Sequence, residues 1–361
     1  MALASRHAAP ALKRVLIVDD SALMRKVLRD IFAETGRFDA QTARNGADAL
    51  MQIERFNPDV VTLDVNMPEM DGLTCLSHIM ARFPRPVVMV SSITQKGAAA
   101  TLEALGLGAV DFIGKPGGTV SLELDAVANE IVAKVEAATR ARPRIARAIA
   151  SATRMQVEQA APRARPTSGR APPGLVVIGV STGGPRTLED ILPPLPAHFP
   201  WPVVVAQHMP AAFTGSFASR LNGLCALEVR EVSTPTPVTA GFIYIARGGA
   251  DLVIERTLGR LVARSVPEDP AHRWHPSVDK LVASAMKVVE PRALVGVELT
   301  GMGDDGAHAM TALLKAGGRT IAEDASTAVV FGMPSELIRL GGASKVLPCN
   351  DIAAQLVDWI K

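Results

Sequence analysis

The sequence contains few cysteines, few aromatic residues and no long apolar run. Its 361 residues include three cysteines, Cys75, Cys225 and Cys349, which lie far apart and form no CxxC pair. A disulfide framework or a cysteine zinc site is therefore not expected. With no secretory signal in view, we expect a cytoplasmic protein. Apolar stretches such as Leu175–Val180 are far shorter than the ~20 residues that a membrane helix requires. We therefore expect no membrane insertion.

Charge of one sign is also lacking. The formal net charge is +2, with 48% hydrophobic and 20% charged residues. Nucleic-acid binding depends on a concentrated basic surface, which so mild a balance does not indicate. The composition is typical of a globular protein whose cores consist of Val, Leu, Ile and Ala, since aromatic residues make up only 4%. The length favours two domains over one.

The first predicted domain spans residues 13–138. Five short apolar runs, from VLIVDD to VDFIGKP, alternate there with helical patterns. Such alternation predicts a parallel sheet covered by helices on both faces, in the flavodoxin-like doubly wound order. In that architecture, ligands bind at the carboxyl ends of the strands.

Residues 139–173 form a predicted linker that is rich in Ala, Arg and Pro. Its first part can continue as a basic helix broken at Pro143, and a solvated tether is favoured over a docking patch. Apolar runs resume after Gly174, so residues 174–361 are predicted to form a second doubly wound α/β domain. A β-hairpin is expected at residues 251–265, DLVIERTLGRLVARS.

Three carboxylates are predicted to meet at one edge of the first sheet. Asp19 and Asp20 end the first predicted strand, and Asp64 ends the third. Carboxylates packed together repel one another unless a cation is present, and an all-oxygen cluster suits Mg²⁺. Ser91 and Lys115 end the fourth and fifth strands, where a hydroxyl and an ammonium would meet the oxygens of a phosphoryl group. Each residue alone is typical of a solvated turn, but their joint placement predicts a phosphorylation site.

The motifs VDDSALMRKVL, LDVNMPEMDG, MVSS and DFIGKP resemble those of the response-regulator receiver family along the whole first domain. The resemblance implies that Asp64 is the phosphoacceptor. It also implies that Asp20, Asp64 and the backbone carbonyl of Asn66 hold Mg²⁺, with Asp19 alongside.

The same resemblance implies that Ser91 and Lys115 sense the phosphoryl group and that a histidine kinase donates it. A DNA-binding output, common behind receivers, is disfavoured because no short basic helix-turn-helix pattern follows the linker.

A candidate nucleophile lies in the second domain, in the motif IGVSTGGP. The predicted strand LVVIGV runs directly into Ser181, and Pro185 suits the first turn of a following helix. Backbone N–H groups at that helix start could stabilise an oxyanion. A dinucleotide-binding loop is disfavoured because Ser181 stands where the second glycine of GxGxxG must lie, whereas GVSTG fits the GxSxG elbow.

A histidine and two acids are expected at the same edge. His208 follows the predicted strand PVVVAQ, and Asp304 and Asp305 follow the strand ALVGVELTG. Serine, histidine and aspartate from three strand ends would form a hydrolytic triad, but spacing leaves open which acid faces the histidine. His272 and His275 are three residues apart without a third ligand, so a metal site there is disfavoured. That loop is instead expected to shape the cleft.

The motifs IGVSTGGP, VVAQHMP, HPSVD, LTGMGDDGA and VVFGMP resemble the catalytic domain of the chemotaxis protein-glutamate methylesterases, the CheB family. The resemblance implies Ser181 as nucleophile, His208 as general base and Asp305 as the orienting carboxylate. Thr182 and the backbone of Met302 would support the serine and the oxyanion, and no cofactor is implied in this domain.

The implied activity is phosphorylation-activated hydrolysis of glutamate methyl esters on chemotaxis receptors, with deamidation of glutamines as a second reaction. The unphosphorylated receiver would cover the hydrolase cleft. Two alternatives remain open at this point, namely a receiver joined to an esterase for another carboxyl ester, and a regulatory module whose triad is idle.

Overall fold

The computed structural model describes residues 11–92, 94–115, 121–141 and 172–360. The chain divides into two compact units, one containing a five-stranded sheet and the other a seven-stranded and a three-stranded sheet. Most of the predicted linker, including the helix expected around Pro143, falls outside the described residues. No helix in the described ranges is both long and apolar enough to cross a membrane.

The elements up to residue 141 alternate between strand and helix as predicted. In chain order they are β1 (Lys13–Val18), α1 (Ala22–Glu34), β2 (Phe38–Ala43), α2 (Gly46–Phe56), β3 (Val60–Asp64), α3 (Gly72–Arg82), β4 (Val87–Ser91), α4 (Gln95–Leu107), β5 (Asp111–Gly114) and α5 (Ser121–Arg140). The strand order is β2-β1-β3-β4-β5, with every pairing parallel. This order confirms the flavodoxin-like prediction. Helix α5 ends two residues beyond the predicted domain boundary.

Local chemistry explains where these elements begin and end. All residues of β3 and β4 are buried, as expected of central parallel strands covered on both faces. Side chains of Ser21, Asn45 and Asp71 accept hydrogen bonds from backbone N–H groups three residues on and so cap α1, α2 and α3. The sheet thereby gains a rigid frame with its polar residues at the carboxyl edge.

The second unit also alternates, with a separate hairpin. Its elements are β6 (Leu175–Val180), α6 (Gly184–Ile191), β7 (Val203–Gln207), α7 (Ala211–Leu224), β8 (Glu228–Val232), β9 (Thr236–Pro237), β10 (Phe242–Ala246), β11 (Asp251–Thr257), β12 (Arg260–Val266), α8 (Val278–Met286), a 3₁₀ turn (Pro291–Ala293), β13 (Leu294–Glu298), α9 (Ala307–Lys315), β14 (Arg319–Glu323), α10 (Met333–Arg339), β15 (Lys345–Leu347) and α11 (Cys349–Trp359). The predicted hairpin is confirmed as β11 and β12, which pair antiparallel and with β9 form the small sheet. The sequence prediction missed β8 and β9.

The large sheet has the order β15-β14-β13-β6-β7-β10-β8, and all its pairings are parallel. Strand β6 lies between β7, which follows it in the chain, and β13, which comes more than a hundred residues later. The strand order therefore reverses at β6. In open parallel sheets, ligands bind outside the carboxyl ends of the strands at such a reversal.

Candidate active site

Ser181 begins a tight turn at the end of β6. Its backbone N–H donates to the carbonyl of Thr300 (2.9 Å), and its own carbonyl accepts from Gly184 N–H (2.8 Å). Gly183 has a φ of +79°, a left-handed conformation that favours glycine. Pro185 lies in the first turn of α6. The chain thus turns from a buried strand into a helix with a partly exposed serine at the corner.

The sheet register brings His208 beside Ser181. Val180 at the end of β6 pairs with Gln207 at the end of β7, so the serine and the histidine follow from paired positions. The His208 backbone N–H donates to the carbonyl of Val180 (3.0 Å), and the Gln207 side-chain amide donates to the carbonyl of Ser181 (3.0 Å). The two backbones are therefore held at a fixed separation.

The two ring nitrogens of His208 have different surroundings. Nε2 lies 2.9 Å from Oδ2 of Asp305. Nδ1 is buried and has no hydrogen-bond partner in the described part of the chain. A neutral imidazole carries one proton, and the carboxylate attracts it to Nε2. Nδ1 is then left with a free lone pair, which is the arrangement that a general base needs.

Asp305 is surrounded by donors as well as buried. Its oxygens accept from Ser277 Oγ (3.0 Å), Val278 N–H (2.7 Å) and Asp279 N–H (3.1 Å) at the start of α8. Burial alone would raise the pKa of this carboxyl, but the bonds from His208 and the two amides outweigh it, and the pKa is lowered. Asp305 is therefore ionised near neutral pH. Asp304 is exposed, so the geometry selects Asp305 as the acid that faces the histidine.

The predicted supporting residues lie close to the serine in the chain fold. Thr182 is 2% exposed, and its carbonyl accepts from Thr300 Oγ1 (2.8 Å). Met302 is half-buried and follows Gly301. A Cβ on Gly301 would lie only 2.7 Å from Cβ of Ser181, so the glycine leaves room for the serine. No residue within the described ranges forms a hydrogen bond with Oγ of Ser181. Roles for Thr182 and Met302 therefore remain predictions.

Sequence reasoning missed three residues around the pair of His208 and Asp305. Ser277 caps α8 and donates to Asp305. Asp279, in the first turn of the same helix, accepts from Ala309 N–H (2.8 Å). Trp274 stacks on the imidazole of His208. Glu298, at the end of β13, is fully buried. The HPSVD motif pointed to the loop, but no spacing rule pointed to the tryptophan.

His275, weighed in the sequence as a metal ligand, has a different partner. Its Nδ1 lies 2.9 Å from Oδ1 of Asp251, the first residue of β11. The pair holds the loop between β12 and α8 against the small sheet. His275 is accordingly a structural residue of this loop.

The five-stranded sheet carries the predicted acidic cluster. Ligand atoms of Asp19, Asp20 and Asp64 lie within 4.8 Å of one another. Nζ of Lys115 lies 2.8 Å from Oδ2 of Asp64 and 3.0 Å from Oδ2 of Asp19. Burial raises the pKa of Asp64, only partly offset by Lys115. Burial would lower the pKa of Lys115, but its bonds to the two carboxylates raise it. Three carboxylates whose oxygens lie so close together, with room for an all-oxygen ligand set, fit Mg²⁺.

The remaining predicted receiver residues lie at the same edge. Ser91 ends β4, is fully buried, and accepts at its carbonyl from Lys115 N–H (2.7 Å). The N–H of Asn66 donates to Oδ1 of Asp64 (3.4 Å). The structure therefore brings the phosphoacceptor candidate, the acidic cluster, the hydroxyl residue and the lysine together.

The five-stranded sheet, with its acidic edge and lysine, is typical of a receiver domain. The seven-stranded sheet, with serine, histidine and aspartate at its edge, is typical of an α/β hydrolase domain. Residues 15–126 match the family model of the response regulator receiver domain, and residues 176–356 match that of the CheB methylesterase. A solved structure of the Thermotoga maritima CheB methylesterase catalytic domain is 41% identical, with a TM-score of 0.50. The match covers 51% of this chain and 97% of the Thermotoga maritima chain.

Two curated relatives match along nearly the whole length. Protein-glutamate methylesterase/protein-glutamine glutaminase 3 of Rhodospirillum rubrum is 55% identical over 96% of each chain. The similarly named protein 2 of Rhodopseudomonas palustris is 53% identical over 96% of this chain and 98% of its own. The chain therefore belongs to the family of CheB protein-glutamate methylesterases that carry a receiver domain.

Proposed function

We propose that this protein is a phosphorylation-regulated esterase that hydrolyses glutamate methyl esters on chemotaxis receptors and deamidates receptor glutamines. The observation that carries the proposal is the buried Nδ1 of His208, which has no hydrogen-bond partner in the described ranges, in a ring whose Nε2 is bound to the ionised Asp305. The names of the full-length relatives support the substrate class.

In the ester reaction, Oγ of Ser181 attacks the γ-carbonyl carbon while its proton passes to Nδ1 of His208. Asp305 stabilises the imidazolium through Nε2–H. The carbonyl π electrons move to oxygen, and this oxyanion is held by backbone N–H groups at the start of α6, with Thr182 and the backbone of Met302 as supports. His208 then returns the proton to the departing methoxide, and methanol leaves.

The acyl-enzyme is cleared by the same groups in reverse. His208 takes a proton from water, the hydroxide attacks the acyl carbon, and Ser181 leaves with the proton from the imidazolium. The products are a free glutamate and the restored serine. With a glutamine side chain, the identical first half releases ammonia instead of methanol. Ester cleavage is the faster reaction because methoxide is a better leaving group than an amide nitrogen.

Regulation is proposed to act through Asp64 as phosphoacceptor, with a chemotaxis histidine kinase as donor in the cytoplasm. Asp20, Asp64 and the carbonyl of Asn66 would hold Mg²⁺, with Asp19 alongside. Bound there, the ion would neutralise charge on the phosphoryl oxygens.

Ser91 and Lys115 would bind the transferred group, because each lies at the edge that carries Asp64. No cofactor is proposed for the hydrolase domain.

The test is methanol release from methylated receptor by wild type and Ser181→Ala, each with and without a small phosphodonor and Mg²⁺. Ser326→Ala, which changes an exposed serine on the loop after β14, is the matched control. We expect Ser181→Ala to abolish release, Ser326→Ala to match wild type, and phosphodonor to raise the wild-type rate but not that of Asp64→Asn.

Absence of methanol release from wild type would overturn the receptor-esterase proposal. Activity on simple carboxyl esters would then favour an esterase for another substrate. No activity on either would favour a regulatory module with an idle triad.

A further inference from the structure

The indole of Trp274 lies parallel to the imidazole of His208. The ring centroids are 5.8 Å apart and the ring planes differ by 6°. Trp274 lies in the segment between β12 and α8, and it is half-buried. The proposed steps of ester hydrolysis do not use this contact.

The segment that carries Trp274 is fixed on both sides by one carboxylate. Asp251, fully buried at the start of β11, accepts from Asp269 N–H (3.1 Å) before the tryptophan. After it, the same carboxylate binds Nδ1 of His275 (2.9 Å) and accepts from Ser277 N–H (2.9 Å). Burial alone would raise the pKa of Asp251, but the bonds from His275, Ser277 and Lys280 outweigh it and lower the pKa. A charged anchor therefore holds the ends of a short arch with Trp274 in between.

The indole also contacts the turn that carries Asp305. A Cβ on Gly303 would lie 2.6 Å from Cη2 of Trp274, and Gly303 has a φ of +93°. Only glycine accommodates both the close approach and this backbone conformation. Trp274 thus touches the histidine ring and the turn of its acid partner at once.

The ring of His208 needs such a contact. A single hydrogen bond at Nε2 leaves the imidazole free to tilt about that bond, and Nδ1 has no partner to prevent it among the described residues. A flat surface parallel to the ring fixes its plane. The contact also strengthens when the ring becomes cationic, because an aromatic face attracts a cation within ~6 Å of its centroid, and indole is the best such face. An interaction that grows as Nδ1 takes the proton favours the transition state over the ground state.

We propose that Trp274 is a positioning residue for the hydrolytic reaction, which holds the His208 ring in the plane that directs Nδ1 towards Ser181 and stabilises the imidazolium. This inference rests on the proposed function and concerns the same reaction on the same class of substrate.

The test compares Trp274→Ala and Trp274→Phe in the full chain, with Trp359→Phe in the last helix as control. For Trp274→Ala we expect kcat for a methyl ester to fall roughly three- to thirtyfold, the range that a lost cation–π contact implies, with KM changed less than about twofold. Trp274→Phe should restore most of the loss, since phenylalanine keeps an aromatic face. Trp359→Phe should match wild type.

A spectroscopic signature separates positioning from a loss of folding. In wild type, ¹⁵N spectra of the His208 ring should show one tautomer, protonated at Nε2; in Trp274→Ala the two tautomers should mix. An unchanged tautomer together with an unchanged kcat overturns the proposal, as does a defect confined to KM. Equal impairment of the Phe and Ala variants also overturns it.

A second readout keeps this test independent of the substrate. A fluorophosphonate probe labels a serine only when its base is in place, so the labelling rate of Ser181 reports on the Ser181–His208 pair alone. If wild type is labelled but releases no methanol from receptor, the proposed function fails, and slower labelling of Trp274→Ala still supports the present inference. If wild type is not labelled, both fail.

Discussion

The ammonium nitrogen of Lys115 lies 2.8 Å from Oδ2 of Asp64, the carboxylate proposed as phosphoacceptor, and forms an ion pair with it. Asp19 shares the same ammonium at 3.0 Å. A bound divalent cation must compete with this charge, because both attract the same oxygens.

Removing the ammonium should therefore tighten metal binding. For Lys115→Ala we expect the Kd for Mg²⁺, measured by titration calorimetry on the full chain, to fall about tenfold, as one removed charge at this range implies. Lys26→Ala, which removes an exposed lysine of α1, should leave the Kd unchanged. Equal or weaker binding by Lys115→Ala would contradict the assignment of the acidic cluster as the metal site.

Asp305→Asn should remove most of the activity while preserving the packing of the site. Asparagine can present its amide to Nε2 and so reverse the tautomer that leaves Nδ1 free, which costs about 10⁴-fold where the same relay has been altered. Methanol release should fall accordingly, and Asp304→Asn, an exposed neighbour, should be near wild type. Loss of activity in Asp304→Asn alone would show that the wrong acid has been assigned.

The lowered pKa of Asp305 also predicts how the free energy of unfolding depends on pH. The pKa of Asp305 is lowered below its ordinary value of 3.8 in the folded state. Its contribution to the free energy of unfolding is then present above pH 3.8 and is lost as the pH falls through the folded value. All three tryptophans, Trp201, Trp274 and Trp359, lie in the second unit, so their fluorescence follows its unfolding in urea. Wild type should lose its advantage over Asp305→Asn below about pH 4, and a constant difference down to about pH 2 would contradict this.

Glu298 predicts the opposite pH dependence. Neither of its carboxyl oxygens has a hydrogen-bond partner among the described residues, and it lies between Gly179 and Gly306. Burial, reinforced by Asp305 and Asp279, raises its pKa well above the ordinary 4.5. The folded state therefore keeps a proton that the unfolded chain releases, and stability is lost as the pH rises from 4.5 towards the folded value.

The substitution Glu298→Gln removes that ionisation without changing the size of the side chain. We expect the free energy of unfolding of this variant, relative to wild type, to increase with pH above about 4.5, by up to ~1.4 kcal/mol per pH unit. Urea unfolding at about pH 5 and about pH 8 measures it. Glu268→Gln, at an exposed position, should show no such trend, and a pH-independent difference for Glu298→Gln would mean that the carboxyl is ionised in the folded protein.

The strand-end residues were predictable because parallel strands place their carboxyl ends at one edge. Asp64, Ser181 and His208 could each be located from apolar runs that stop at a polar residue. The edge strand β8 could not, because its residues EVREV alternate in charge and only two of them are buried. Burial of a strand from one side leaves no continuous apolar run.

Residues that depend on the path of a loop were also beyond the sequence. Trp274 lies against His208 in an arch that Asp251, more than twenty residues earlier, binds on both sides. The choice between Asp304 and Asp305 depends on a turn between two glycines of positive φ, Gly303 and Gly306. That turn exposes the first acid and buries the second, which spacing alone does not determine.

Gly301 provides a last test of how closely the serine is held. Its φ is not in the left-handed region, so the cost of a methyl group is steric rather than conformational. The new Cβ would lie 2.2 Å from Sδ of the buried Met333 and 2.7 Å from Cβ of Ser181. The contact with Ser181 is relieved when the serine shifts by several tenths of an ångström. A misplacement of ~1 Å costs about a hundredfold in rate.

For Gly301→Ala we therefore expect kcat to fall about ten- to a hundredfold and stability to fall by ~1–3 kcal/mol, the usual cost of overpacking. Gly223→Ala is the matched control, since that glycine lies in α7 with nothing within 4 Å of the added methyl group. Alanine there should raise stability by ~0.5–1 kcal/mol without affecting kcat. If Gly301→Ala lost stability but kept its kcat, Met333 alone would be absorbing the methyl group, and Ser181 would be less closely held by the turn after β13 than the structure indicates.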